Sequence, residues 1–227
     1  MISVSVPDAD KRPWVVAITG ASGAVYAQRL LQFLALSGDR EIHLTISPSG
    51  AAVLKQELDL DIALAKPDLA ELLCKMPAWL DDDGKRRQAD QAAANMNRVI
   101  RYHHYQDYMT PIASGSFRTA GMVICPCSGS TLSGVARAAA SNLVQRAAEV
   151  HLKEQRKLVL VPRETPLSVL QLENMHRLAA AGAVILPAMP GWYHGVRDLG
   201  TIVDFVVARI LDQLDFDNQL IQRWKES

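Results

Sequence analysis

Short apolar runs alternate along the chain with segments of helical periodicity. The runs have the length of strands and consist largely of Val, Ile and Leu, which is typical of strands covered by helices on both faces. Five strands are predicted at 14–19, 41–47, 121–125, 157–162 and 183–187, and a further strand at 98–103. Helices are predicted at 24–36, 49–58, 130–139, 142–156, 168–181 and 201–214.

This alternation predicts the α/β class, with an open parallel sheet and right-handed crossovers. One domain is expected over residues 13–227, after a loose N-terminal arm at 1–12. The segment 79–91 breaks the pattern because it is rich in mixed charge and poor in apolar residues, and we expect it to form a solvated surface loop. Ligands of such sheets bind at the carboxyl ends of the strands.

Composition narrows the functional classes. Of the 227 residues, 49% are hydrophobic and 21% charged, and 24 Lys and Arg balance 24 Asp and Glu. A neutral chain gives no electrostatic reason to expect nucleic acid or an anionic membrane as partner. Three cysteines form no disulfide framework, and no second Cys/His pair matches the spacing of 125 and 127, so we expect a reducing cytoplasm and no metal. Neither a signal peptide nor a membrane span is expected.

The turn TGASG at 19–23 joins a predicted strand to a predicted helix. Its glycines complete neither dinucleotide fingerprint, no Tyr-x-x-x-Lys pair accompanies it, and no Gly-Lys-Ser/Thr follows. The turn offers backbone amides and the Ser22 hydroxyl to a phosphate or a flavin edge. A plain strand-to-helix turn remains the alternative, because glycine is the default residue of tight backbone.

Further polar residues lie where strands end or helices begin. Ser128, Ser130 and Thr131 can cap a helix or bind an anion, and capping needs only one of them. Arg163 and Glu164 directly follow a predicted strand, beside the expected ligand crevice.

Basic residues on two predicted helices add possible anion contacts. Arg146 and Lys153 share one helix face, although a solvated face with Arg146 paired to Glu149 is equally compatible with the pattern. Arg209 lies in an apolar helical stretch, and if it is buried it should have an anionic partner. These features favour a phosphorylated cofactor and a second phosphorylated ligand, without selecting a reaction.

Taken together, the motifs resemble those of the UbiX (Pad-type) flavin prenyltransferases. The matching stretches are TGASG at 19–23, SGSFRTAGM at 114–122, CPCSGSTLS at 125–133, NLVQRAA at 142–148, LVPRETP at 160–166 and PGWYH at 190–194. The resemblance covers residues 13–224. It implies a three-layer, flavodoxin-like or Rossmann-type single domain in a homododecamer.

The resemblance also implies an activity: transfer of a dimethylallyl group from dimethylallyl monophosphate to reduced FMN, first at N5 and then at C6. The product, prenylated FMN, would serve a separate UbiD-type decarboxylase. No metal is implied, since basic side chains would stabilise the charge of the leaving phosphate.

Site residues follow from the same resemblance, position by position. The FMN-binding set is Gly20, Ala21, Ser22, Ser47, Ser128, Gly129, Ser130, Thr131 and Arg163. The prenyl phosphate set is Tyr108, Ser114, Gly115, Arg146, Lys153, Arg163, Tyr193 and Arg209, with some contacts made across a subunit interface. Glu164 resembles the acid on the phosphate side, and Glu57 and Ser22 resemble the pair that handles protons at flavin N5 and C6. Tyr108 stands where some relatives have tryptophan over the prenyl chain.

Two other functions stay open. One is an FMN-dependent cysteine decarboxylase of the homo-oligomeric flavin-containing class, whose Pro-Ala-Ser-Ala-Asn-Thr motif is absent from this sequence. The other is a non-catalytic flavin carrier, which would not need Arg146, Lys153, Arg163, Glu164 and Arg209 together.

Overall fold

A six-stranded parallel sheet forms the centre of the computed structural model, which describes residues 11–80, 82–193 and 195–224. The strands are β1 (Trp14–Ile18), β2 (Ile42–Ile46), β3 (Ile100–His104), β4 (Gly121–Cys127), β5 (Lys157–Pro162) and β6 (Val184–Ile185). Their order is β3-β2-β1-β4-β5-β6, and the pairing is parallel throughout. This is the doubly wound order in which ligands bind where the strand order reverses, here between β1 and β4.

Helices cover both faces of the sheet. They are α1 (Ala24–Ser37), α2 (Pro48–Leu58), α3 (Leu69–Cys74), α4 (Asp83–Val99), α5 (Gly129–Ala136), α6 (Leu143–Lys153), α7 (Val169–Ala180) and α8 (Leu199–Gln213). The two-residue period of β1 divides the core, because Trp14, Val16 and Ile18 face α1–α4 and α8, whereas Val15 and Ala17 face α5–α7. The predicted three-layer α/β fold is confirmed.

The prediction of a solvated loop at 79–91 is wrong. The described part of that segment runs into α4, whose first residue follows Asp82, and the Asp82 carboxylate accepts from the Lys85 backbone N–H at 2.8 Å. Ala89 and Ala92 are buried, and α4 packs on α1 and α3. The apolar stripe of this helix consists of alanines, and the charged residues around them made the stripe hard to recognise in the sequence. Asp81 and most of the expected N-terminal arm lie outside the described residues.

A buried ion pair joins three helices of one layer and was not anticipated from the sequence. Arg29 of α1, 2% exposed, donates from Nε to the Asp204 carboxylate of α8 at 2.7 Å. Its Nη1 and Nη2 donate to Gln32 at 3.1 Å and to Gln88 of α4 at 2.9 Å. The guanidinium therefore has partners on every helix around it, as a buried charge requires.

Two buried histidines lie on the opposite face of the sheet. His43 shares a 2.8 Å contact between its Nδ1 and the Nε2 of His103, and His151 contacts the Thr119 hydroxyl at 2.8 Å. Burial lowers the pKa of His43 to about 4, helped by His103, and burial likewise lowers the pKa of His151 to about 4. Both rings are therefore neutral in the folded protein at neutral pH.

Candidate functional site at the carboxyl edge of the sheet

Thr19 connects the two strand ends at the switch point. Its hydroxyl donates to the Pro126 carbonyl at 2.7 Å and accepts from the Ser128 N–H at 2.8 Å, and the residue is almost wholly buried. The loops that follow β1 and β4 are thus held side by side. The TGASG turn and the start of α5 consequently line one crevice.

Close packing explains two glycines of this crevice. A Cβ on Gly20 would collide with Ser49, and one on Gly50 would lie 2.5 Å from the Ile18 carbonyl oxygen. The start of α2 can therefore approach the β1 turn only when both positions lack a side chain. Ser47 caps α2 by accepting from the Gly50 N–H at 3.0 Å, and its own hydroxyl proton remains available at the crevice.

Glu57 reaches back to the start of α1. Its carboxylate accepts from the Gly23 N–H at 2.9 Å and from the Ala24 N–H at 2.8 Å. No side chain of the preceding turn caps this helix, since the N-cap is Gly23 with φ of 111°. Glu57 therefore satisfies free amides and complements the helix dipole from 34 residues away. It also brings a carboxylate to the two residues that directly follow the exposed Ser22.

The start of α5 carries a cluster of hydroxyls. Ser128 caps the helix by accepting from the Thr131 N–H at 3.3 Å, and its Oγ lies 3.1 Å from Ser130 Oγ and 3.0 Å from Thr131 Oγ1. Capping uses one hydroxyl, so two more stand beside the N–H groups of the first turn, which have no partner within a helix. This arrangement can bind an anion.

Arg163 and Glu164 extend from the end of β5 toward the same crevice. Arg163 Nε donates to the Ser22 carbonyl at 3.2 Å, which places the guanidinium against the TGASG turn. Glu164 is exposed, and its Oε2 lies 3.4 Å from Gln171 Nε2. Both residues line a small pocket of about 50 Å³, whose other walls are Pro162, Thr165, Leu167, Met175 and residues 187–189. The structure thus gathers Gly20, Ser22, Glu57, the α5 hydroxyls and the Arg163–Glu164 pair at one edge.

Tyr26 also faces this crevice and was not identified from the sequence. Burial raises the pKa of its phenol, and Cys125 and Glu57 add smaller increases that Arg163 partly opposes. The hydroxyl therefore stays protonated at neutral pH. The thiols behind it are inert as well, because burial raises the pKa of Cys127 to about 12 and that of Cys125 further.

Several residues of the expected prenyl phosphate set lie outside this crevice. A Cβ on Gly115 would collide with Glu154 and lie 2.8 Å from Lys153 Nζ, and Ser114 is exposed on the same loop. Lys153 pairs with Glu154 at 2.5 Å. Arg146 donates to the Ala113 carbonyl at 3.1 Å rather than to Glu149.

Two members of this group, Lys153 and Gly115, lie toward the amino ends of the strands. The helix α6 begins beside Tyr105, just beyond β3, because the Leu143 N–H donates to the Tyr105 carbonyl at 2.7 Å. It ends before β5, where Arg156 donates to the Gly115 carbonyl at 2.6 Å. Lys153 and Gly115 are therefore at the opposite edge of the sheet from Glu164, and one chain does not bring them into the crevice.

Three further predicted contacts are exposed. Tyr193 packs edge-on against Phe205 and Trp224, with ring centroids 5.8 and 5.3 Å apart. Arg209 is 46% exposed and pairs with Asp212 at 2.7 Å, so it is not the buried cation considered above. Tyr108 is exposed in the segment after β3. His194, in the same motif as Tyr193, lies outside the described residues.

The described residues form neither a metal site nor a membrane-spanning helix. No three His, Cys, Asp or Glu side chains of residues 11–80, 82–193 and 195–224 are grouped so as to hold a metal ion. In the same ranges, no helix has both the length and the apolar character needed to cross a membrane.

Fold and crevice together define a flavoprotein, and residues 2–211 match the family model described as Flavoprotein. The chain is 47% identical over 211 residues to flavin prenyltransferase UbiX of Pseudomonas aeruginosa, covering 93% of each chain. It is 41% identical over 213 residues to that of Halalkalibacterium halodurans, covering 94% of this chain and 93% of the relative. The chain belongs to the UbiX family of flavin prenyltransferases, as its motifs predicted.

Solved structures of UbiX-type proteins are similar to this chain in both fold and sequence. A dodecameric FMN-dependent UbiX-like decarboxylase from Escherichia coli O157:H7 is 37% identical, with a TM-score of 0.75 over 94% of this chain and 99% of that one. AnUbiX (PadA1) in complex with FMN and dimethylallyl pyrophosphate is 35% identical, with a TM-score of 0.73 over 96% and 99%. The cysteine decarboxylase TvaF, at 14% identity and a TM-score of 0.53, shares the fold alone.

Proposed function

We propose that this protein joins the dimethylallyl group of dimethylallyl monophosphate to reduced FMN, at N5 and C6, and so produces prenylated FMN. The observation that carries the proposal is the meeting, at one sheet edge, of the hydroxyl-rich start of α5, the Glu57 carboxylate at the amides that follow Ser22, and the neighbouring residues Arg163 and Glu164. The names of relatives that are 37–47% identical over nine-tenths of the chain support it.

The residues present fit an FMN molecule. The three hydroxyls and free amides at the start of α5 suit its phosphate, because a helix N-terminus favours negative charge. Ser22 is the exposed residue of the Gly20–Ser22 turn and offers its hydroxyl to the flavin ring, and Ser47 adds a hydroxyl from the neighbouring strand end. Gly129 completes this set, and Arg163 donates to the Ser22 carbonyl.

When bound, reduced FMN supplies the nucleophilic N5 and C6 atoms. Ser22 and Glu57 would accept and return the protons that leave those atoms, since the carboxylate is held at the two backbone amides that follow Ser22. Glu164 would protonate the departing phosphate, and Arg163 would stabilise its charge in place of a metal. Tyr108 would stack on the allyl cation through its ring face.

Assembly would complete the phosphate pocket. Ser114, Gly115, Arg146, Lys153, Tyr193 and Arg209 are exposed or distant from Glu164 within one chain, so we propose that neighbouring subunits contribute them. The apolar side chains of Val169 and Leu170 at the start of α7 are 70% and 65% exposed next to Glu164, as expected of a surface that another subunit covers. A homododecamer is proposed by analogy with the dodecameric neighbour.

The product would pass to a UbiD-type decarboxylase in the cytoplasm. A flavin altered at N5 and C6 is no longer an ordinary redox cofactor, so a separate enzyme must use it. This hand-off follows from the family resemblance and adds no requirement to the site described above.

The test is anaerobic incubation of the protein with reduced FMN and dimethylallyl monophosphate, followed by mass spectrometry of the flavin. A mass increase of one C5H8 unit is expected. Unmodified flavin with folded protein would refute the transferase and leave the cysteine decarboxylase and the flavin carrier. Glu164→Gln should slow product formation while FMN remains bound, and loss of FMN binding would show that Glu164 has a different role.

A further inference from the structure

Gln171 belongs to a reciprocal capping arrangement at the start of α7. The Gln171 backbone N–H donates to Ser168 Oγ at 3.2 Å, and the Ser168 backbone N–H donates to Gln171 Oε1 at 2.8 Å. A side-chain amide has one oxygen and one NH2 group, and a backbone donor can be met only by the oxygen. The cap therefore sets which way the Gln171 amide is turned.

That orientation directs Nε2 toward the crevice. Gln171 Nε2 lies 3.4 Å from Glu164 Oε2, and a Cβ on Gly129 would lie only 3.2 Å from the same nitrogen. The NH2 group thus stands between the acid at the end of β5 and the glycine of the α5 hydroxyl loop. Contacts of this length are common in ligand-free active sites and shorten in the reacting complex.

We infer that Gln171 is a positioning residue that orients the Glu164 carboxyl group for its proton transfer. This inference rests on the proposed function. Because Nε2 donates to Oε2, the carboxyl proton is carried by Oε1, the oxygen left free for the departing phosphate. Among residues 11–80, 82–193 and 195–224, Gln171 is the one side chain that donates to Glu164, and no ion pair holds the carboxylate otherwise.

Gln171→Glu separates capping from positioning. A carboxylate at 171 still accepts from the Ser168 N–H, so the cap is kept, but it replaces the N–H donor to Glu164 with a second negative charge about as close. Gln171→Leu removes both functions. The matched control is Thr201→Val, which breaks the same kind of reciprocal cap at the start of α8, where Thr201 pairs with Asp198 and does not contact Glu164.

We expect Gln171→Glu to lower kcat for flavin alkylation about tenfold, the loss typical of one hydrogen bond to a charged group. KM for FMN should change less than about twofold. The melting temperature should change by no more than about 2 °C, because the helix cap is retained. Thr201→Val should lower the melting temperature and leave kcat unchanged. Wild-type kcat in Gln171→Glu would overturn the inference, as would an equal loss of kcat in Thr201→Val.

A spectroscopic measurement keeps the inference testable without turnover. In the full-length protein, Glu164→Ala should shift the NMR resonances of the Gln171 side-chain NH2 group and leave the Ser168 amide in place. Unshifted resonances would refute the contact. If the wild type fails to alkylate FMN while these resonances shift, the proposed function is wrong and the Gln171–Glu164 contact stands.

Discussion

Glu57 caps α1 in the structure, the proposed function adds a role in proton transfer, and one substitution with two measurements tests both. Glu57→Gln keeps one acceptor oxygen for the amides of Gly23 and Ala24 but removes the charge at the start of α1. Weakening the two hydrogen bonds costs about 1 kcal/mol at this exposed position, and the lost interaction with the helix dipole costs about 0.3–1 kcal/mol. A total of about 1–2 kcal/mol corresponds to a fall of about 2–8 °C in melting temperature for a chain of this size.

The assay is thermal unfolding at one fixed protein concentration, alongside flavin alkylation. Glu71→Gln is the matched control, because that exposed carboxylate pairs with Lys75 at 3.4 Å and should contribute less than about 0.5 kcal/mol. Loss of a general base should also slow alkylation by about a hundredfold or more. A melting temperature equal to that of Glu71→Gln would refute the capping role, and unchanged alkylation would refute the catalytic one.

Three further predictions concern stability and cofactor binding. Asp204→Ala leaves Arg29 buried without its carboxylate and should cost about 3–5 kcal/mol in chemical denaturation; a loss below about 1 kcal/mol would contradict the role assigned to the pair. His43 and His151 are neutral in the folded protein, where their pKa values are about 4, against about 6.5 in the unfolded chain. Their contribution to the free energy of unfolding is therefore present above pH 6.5 and is lost as the pH falls toward 4. Melting temperature measured between pH 7.5 and 4.5 should therefore decline less steeply in His151→Gln, and equal slopes would count against this explanation. Gly20→Ala should weaken FMN binding in a fluorescence titration, because the new Cβ collides with the start of α2; wild-type affinity would show that the turn does not need this close approach.

The elements that could be predicted from sequence are those whose pattern is local. The apolar runs at β1, β2, β4 and β5 are buried along almost their whole length, so composition alone identified them. The helix α4 could not be identified in that way. Its inward face is made of alanine, and only the neighbouring helix α1 shows that this narrow stripe is a packing surface.

The residues of the candidate site likewise divide into those that could be predicted from the sequence and those that could not. Ser22, the α5 hydroxyls, Arg163 and Glu164 each follow a strand closely, so the parallel sheet alone was enough to place them at one edge. Glu57 lies on a helix with no distinctive motif, and its contact with Gly23 spans 34 residues. No sequence motif indicated the contact of the Gln171 amide with Glu164, since that contact depends on a helix cap that turns the amide toward Glu164.

The sequence by itself determined the class of fold, the family and most of the residues that gather at the carboxyl edge of the sheet, because strand burial, turn chemistry and motif spacing are all encoded within a few residues. Tertiary structure alone decided that Arg29 is the buried cation and Arg209 an exposed one, and that Lys153 and Glu164 lie at opposite edges of the sheet. The physical reason is that burial and proximity depend on which distant surfaces meet. A helix running antiparallel to the strands carries residues of one motif set away from residues of another, however similar their chemistry.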